Sequence, residues 1–148
     1  ESRGWVRARS TNPAAPPAIH TNFLSAPNDM RTIRDGVKIL RKVFSQQEFD
    51  ALRGDEKTPG PEITTDDQLD AWIRDTAQTI YHPVGTCKMG IDDLSVVDPQ
   101  LRVRGVEGLR VADASVMPTL VGGNTNAPSI MIGEKASDLI LGKPSLAA

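Results

Sequence analysis

The chain has 148 residues, enough for about one ordinary domain, and its net charge of −2 comes from acids and bases mixed along its length. No basic stripe points to nucleic acid, and 4% aromatic content leaves no stacking platform for bases or carbohydrate. One cysteine excludes an internal disulfide framework, two histidines make poor zinc-site material, and no apolar run approaches the length of a membrane span.

The opening ESRGWVRARS reads as the middle of a strand, so the expectation is a piece of a larger protein. Gly4–Arg9 alternates imperfectly between apolar and polar residues, which predicts a strand. The prolines of Thr11–Pro17 break it, and Ile19–Leu24 is a second short strand. From Met30 the period changes: Met30, Ile33, Val37, Leu40 and Phe44 share one helix face, with Arg31, Arg34, Lys38 and Arg41 away from it. Asn28 or Asp29 is the expected cap. Ser45–Glu48 has capping-box spacing and predicts a short second helix, closed by Gly54.

Asp55–Glu62, with Pro59–Gly60–Pro61, is a polar surface loop. Thr65–Gln68 is another capping box, and Leu69, Trp72, Ile73, Ala77 and Ile80 form the stripe of a helix that reaches about Tyr81. Downstream, Val96–Pro99 and Leu101–Val103 look extended, and Gly108–Asp113 reads as a short buried strand. A final helix begins near Asn126–Ala127–Pro128, where proline suits the first turn. Its apolar residues, Ile130, Met131, Ile132, Ala136, Leu139 and Ile140, predict a mostly buried helix, closed by Gly142 with Pro144 beyond.

Four places can carry chemistry. YHPVGTCKMG, Tyr81–Gly90, sets His82 before a proline that disfavours helical backbone, and Gly85 then permits a turn or the close approach of another group. A histidine at such an exit suits acid/base work, and a hydrogen-bonded structural histidine is the other reading. Cys87 is a buried small hydrophobe or one half of a Cys/His nucleophilic pair. Asp113, at the end of the predicted strand, either holds a sugar-like hydroxyl or makes a turn. Gly122–Asn126 leads into the last helix, whose free N–H groups suit an anion; Asn126 either caps that helix or reaches a ligand.

YHPVGTCKMG, VVDPQLRVRGVEGLRVADASVMP and GNTNAPSIMIGEKASDLI together closely resemble the carboxyl-terminal part of glucose–methanol–choline (GMC) oxidoreductases, FAD-dependent alcohol dehydrogenases and oxidases. ESRGWVRARSTNPAAPPAIHTNFLS and NDMRTIRDGVKILRKVF also look like this family, and the wording is most similar to bacterial dehydrogenases for aliphatic alcohols and choline. The resemblance implies an α+β fold: residues 1–107 a portion of an antiparallel-sheet substrate domain with flanking helices, and 108–148 the last strand and helix of a Rossmann-like FAD-binding domain. It implies that His82 accepts the substrate's hydroxyl proton and that Asn126 is the second active-site group. It also implies that Asp113 faces the ribityl and pyrophosphate region of FAD, and that Ala114, Asn124, Thr125 and Asn126 line the flavin.

The family's Gly-x-Gly-x-x-Gly fingerprint is absent from the twelve glycines. The expectation is therefore a carboxyl-terminal portion, inactive and a poor FAD binder by itself, whose partners are the amino-terminal FAD-binding portion and a small-molecule alcohol. The separated portion is expected to dimerise through uncovered surface. The implied reaction oxidises a primary alcohol to an aldehyde with hydride transfer to flavin N5, in a cytoplasmic or peripherally membrane-associated bacterial enzyme. The sequence names neither the alcohol nor the electron acceptor. A non-catalytic binding module and a Cys/His hydrolase are the alternatives.

Overall fold

The computed structural model describes residues 1–143. Pro144, read above as lying beyond the last helix, falls outside them. The chain is α+β and divides into two compact units, Glu1–Gln78 and Thr79 onward.

In the first unit, β1 (Trp5–Arg7) pairs antiparallel with β2 (Ala18–His20), Trp5 opposite His20. Both strands are shorter than the sequence suggests. In the observed register Ala8 and Arg9 would face Pro17 and Pro16, which have no N–H to offer a ladder. Asn22 and Leu24, at φ 53° and 57°, turn the chain out of extended geometry after β2.

Helix α1 (Pro27–Phe44) starts with proline at its first position, where no N–H is needed. Neither Asn28 nor Asp29 caps it. The flanking residue is Ala26, and Asp29 accepts hydrogen bonds from the Ser2 N–H (2.6 Å) and Oγ (2.5 Å). Because α1 runs to Phe44, Ser45 is its helical C-terminal flank and donates its hydroxyl to the Lys42 carbonyl; it cannot adopt the extended geometry of an N-cap. The expected second helix is therefore reduced to a single 3₁₀ turn, Gln47–Phe49.

Helix α2 (Asp66–Thr76) carries the predicted capping box. The Gln68 N–H donates to Thr65 Oγ1 at 3.2 Å, and the Thr65 N–H donates to Gln68 Oε1 at 3.0 Å. It packs on α1 with Leu69 and Ile73 buried. It stops at Thr76, short of Tyr81, and Ala77 is already extended. The next stripe position, Ile80, is 70% exposed, so nothing among the described residues rewards a further turn.

Arg34 and Arg41, read as lying on the polar face of α1, do more than face water. Arg34 Nη1 donates to both Asp70 carboxylate oxygens at 2.9 Å, and its Nε lies 3.4 Å from Asp66. Lys38 reaches Asp66 at 2.5 Å and holds that carboxyl below its ordinary pKa. Arg41 gathers Glu56 and the carbonyls of Gly60 and Ile63. These pairings cross elements, which helical periodicity alone does not reveal; Arg34 Nε is the exception, buried without a hydrogen-bond partner among the described residues. Only Met30 is buried on α1 itself.

The second unit is built on one core: Val97, Leu101, Val116, Met117, Ile132 and Ala136. Helix α3 (Asn126–Ile140) supplies Ile132 and Ala136 and packs on the 3₁₀ turn Ala114–Val116. Gly142, at φ 63°, closes α3 as expected, with the Lys143 N–H donating to the Asp138 carbonyl. The helix is not mostly buried. Ile130, Met131 and Ile140 are about 60% exposed, because the core of this unit covers only one face.

Gly108–Asp113 is not a buried strand. Gly105 and Gly108, both at positive φ, fold Leu101–Val111 into a narrow turn joined by single bridges such as Arg102–Arg110, and Leu109 stays exposed. Leu101 is buried at φ 64°, held by its N–H to the Asp98 carbonyl while Asp98 Oδ1 accepts from the Gln100 and Arg102 amides.

Arg34→Ala leaves Asp66 and Asp70 without their shared cation. We expect a loss of about 1.5–3 kcal/mol in denaturant unfolding, and less for Arg34→Lys, whose single nitrogen can keep Asp70. In the second unit, hydrogen bonds from Lys88, Ser95 and the Leu94 amide lower the pKa of Asp92 to about 2. A carboxyl lowered on folding stabilises the fold above its unfolded pKa and ceases to as pH falls through its folded one. Stability should therefore decline between about pH 4 and 2, and Asp92→Asn should flatten that decline in unfolding midpoints taken across the range.

Candidate functional site

The quoted motif is a corner pinned at several points. Tyr81 sits at φ 62°, in the left-handed region, which costs a bulky residue about 1–3 kcal/mol. Its N–H donates to Thr79 Oγ1 at 3.0 Å. Pro83 then restricts His82 to non-helical backbone. Gly85, at φ 85°, is needed twice over: its backbone sign suits glycine, and a Cβ there would lie 3.3 Å from the Met117 carbonyl oxygen.

Beyond Gly85 the segment runs along the Ala114–Val116 turn. The Cys87 N–H donates to the Ser115 carbonyl at 2.9 Å and the Met89 N–H to the Val116 carbonyl at 2.8 Å. Gly90 ends the motif because Ser95 Oγ and Asp92 occupy the space a side chain would take. The Lys88–Asp92–Ser95 hydrogen bonds hold that end in place.

His82 itself is half-buried. Its Nδ1 is buried without a hydrogen-bond partner among the described residues. Nδ1 is thus the inward nitrogen of the ring. Val84, two residues on, packs against the shared core, as do Ala114 and Val121. His82, the Asp113 turn and the approach to α3 are therefore all anchored on Val116, Met117, Ile132 and Ala136.

Asp113 is exposed and makes the turn: its Oδ1 accepts the Ser115 N–H at 2.8 Å, and its other oxygen makes no hydrogen bond within the described residues. The turn reading is realised, and the free oxygen leaves a ligand role possible in the same geometry. Asn126 is the first residue of α3, not its cap. The flanking residue is Thr125, which makes no side-chain cap bond and whose carbonyl accepts from Ser129. Asn124 and Asn126 are both exposed. The amide of Asn126 and the first N–H groups of α3 are left to partners outside the helix.

These features fit an anionic, hydroxyl-bearing cofactor. A free carboxylate oxygen at Asp113 suits a sugar or ribityl hydroxyl, and an uncapped helix start suits partial negative charge. Cys87 is half-buried, its N–H used in the main-chain pairing. No group of three or more His, Cys, Asp or Glu that could hold a metal exists among the described residues.

A concavity of about 540 Å³ is an open groove over Asp98 and Arg102–Arg110, and none of His82, Asp113 or Asn126 lines it. The pinning of Tyr81 by Thr79 escaped the sequence reading, which allowed a close approach at Gly85 without naming Met117 as the group that makes it. A Thr two residues before a bulky residue carries too weak a signal, and the Met117 contact is long-range.

The family model described as GMC oxidoreductase matches residues 1–133. An oxygen-dependent choline dehydrogenase of Rhizobium rhizogenes is 54% identical over 99% of this chain and 27% of its own length. The chain thus spans about a quarter of the length of that relative. Among solved structures, a pyridoxine 4-oxidase from Mesorbium loti superposes with a TM-score of 0.89 at 30% identity, covering 97% of this chain and 28% of the other. An FAD-dependent oxidoreductase from Chaetomium thermophilum superposes with a TM-score of 0.88 at 31% identity, covering 94% and 24%. With a family match over nine-tenths of its residues and the same fold in oxidoreductases of that kind, the chain belongs to the GMC oxidoreductases.

Proposed function

We propose that the chain is the carboxyl-terminal part of an FAD-dependent enzyme that oxidises a primary alcohol, choline-like or aliphatic, to its aldehyde. In that enzyme 1–107 would complete the substrate domain and 108–148 would return to the FAD-binding domain. The observation that carries the reading is the pinned corner at His82, whose Nδ1 is buried without a partner among the described residues; in this reading Nε2 would be the nitrogen that meets the substrate.

Asp113, Ala114 and Asn124–Asn126 are the residues that would hold the cofactor. FAD, when bound, supplies a two-electron acceptor for the alcohol's hydride. The rest falls to side chains. His82 takes the hydroxyl proton, so the alcohol's C–H electron pair leaves as hydride while the O–H electron pair becomes the second bond of the carbonyl. The Asn126 amide donates to the same oxygen and stabilises its developing negative charge. The start of α3 favours negative charge nearby, an effect of about 0.3–2 kcal/mol that tunes the driving force but does not set the rate.

Choline enters this reading through the names of the relatives. The exposed Ile130, Met131 and Ile140 of α3 are the surface the amino-terminal portion would cover. Cys87, half-buried and free, is read as packing, and the hydrolase alternative asks its thiol to be the nucleophile.

The test uses the complete gene product: flavin absorbance during turnover with choline, its neutral isostere and a series of aliphatic alcohols. Bleaching of the oxidised flavin by a primary alcohol supports the reading, and no bleaching with any of them contradicts it. His82→Ala should lower kcat by about 10²–10⁴-fold with flavin content retained. Asn126→Ala should cost about 10²-fold. Cys87→Ser should keep most activity; a folded, flavin-loaded but inactive Cys87→Ser would reinstate the thiol as nucleophile.

A further inference from the structure

Downstream of His82 the chain is held by Gly85 against Met117 and by the Cys87 and Met89 amides on the 114–116 turn. Upstream, from Thr79 to Tyr81, one hydrogen bond does the holding among the described residues: the Tyr81 N–H to Thr79 Oγ1 at 3.0 Å. Ile80 and Tyr81 are both largely exposed, so packing does not fix this side. Yet Tyr81 keeps a left-handed φ of 62°, a conformation a tyrosine leaves readily unless its neighbours hold it. The direction in which the backbone enters His82 follows from that dihedral.

We infer that Thr79 is a positioning residue for His82: its hydroxyl oxygen traps the Tyr81 amide, fixes the plane of the Ile80–Tyr81 peptide from which the left-handed turn departs, and so sets the angle at which the imidazole meets the substrate. The inference rests on His82 acting as the base. A side-chain oxygen two residues before an amide is the geometry of an ST-turn, and asparagine and serine make it as well as threonine. Valine matches threonine in shape and lacks the acceptor.

The experiment uses the full-length, flavin-loaded enzyme with its best alcohol and compares Thr79→Val, Thr79→Ala, Thr79→Ser, Thr79→Asn and His82→Ala. Thr79→Val and Thr79→Ala should each lower kcat about tenfold, with KM within about twofold and flavin content unchanged, because a displaced base slows the proton transfer and leaves binding intact. Thr79→Ser and Thr79→Asn should stay within about twofold of the parent. A variant that loses flavin is replaced by its counterpart in the same pair. If Thr79→Val and Thr79→Ala both turn over like the parent, or if Thr79→Ser falls with them, the positioning role is overturned. If His82→Ala itself retains parental turnover, the failure lies with the proposed base and not with Thr79.

Discussion

The second unit depends on one interaction: the seam between the Cys87–Met89 segment and the Ala114–Val116 turn. Two main-chain hydrogen bonds, from Cys87 to Ser115 and from Met89 to Val116, join segments about 28 residues apart in sequence. Gly85 lets the backbone close on the Met117 carbonyl, and Val116 and Met117 present their side chains to Ile132 and Ala136 of α3. His82 thereby hangs from a rigid seam. A buried amide left unpaired is costly, so the seam resists local opening in a way that an exposed loop does not.

That arrangement explains why so many small or turn-forming residues are gathered in a few short stretches. Gly85 and Gly90 are required by close approach, Pro83 by the exit from His82, and Asp98–Pro99 by the turn that buries Leu101. Substitutions at these positions would act on the direction of the imidazole through the backbone. The proposed chemistry asks little else of this unit: one base, one amide, one free carboxylate oxygen and an uncapped helix start, all carried on a single core. The first unit is held differently, by a hairpin and by cations of α1 shared among carboxylates of other elements.

Much of this was legible in the sequence because the signals were local. The Thr65–Gln68 box, Pro128 near the start of α3 and Gly142 at its end each act within one turn, and α2 and α3 lie where these residues place them. The motif around His82 was legible as a corner for the same reason. Signals that depend on tertiary partners misled. Ala77 and Ile80 continue the α2 stripe, but both stay exposed and no surface among the described residues receives them. Gly108–Asp113 has the composition of a buried strand, yet only Leu101–Val103 lies beside it, and the glycines fold it back. The apolar pattern of α3 reads as a buried helix, while one face has no cover in this unit. Arg34 and Arg41 show the converse, charged residues on a polar stripe whose carboxylate and carbonyl partners come from distant residues.

The proposed role of His82 is tested most directly by the pH dependence of kcat/KM for the complete enzyme and its His82→Gln variant. With His82 as the base, the parent shows an ionisation that must lose a proton for turnover, and that limb vanishes in the variant, leaving a slow, flat profile. A variant that keeps the parental limb and rate would contradict the assignment.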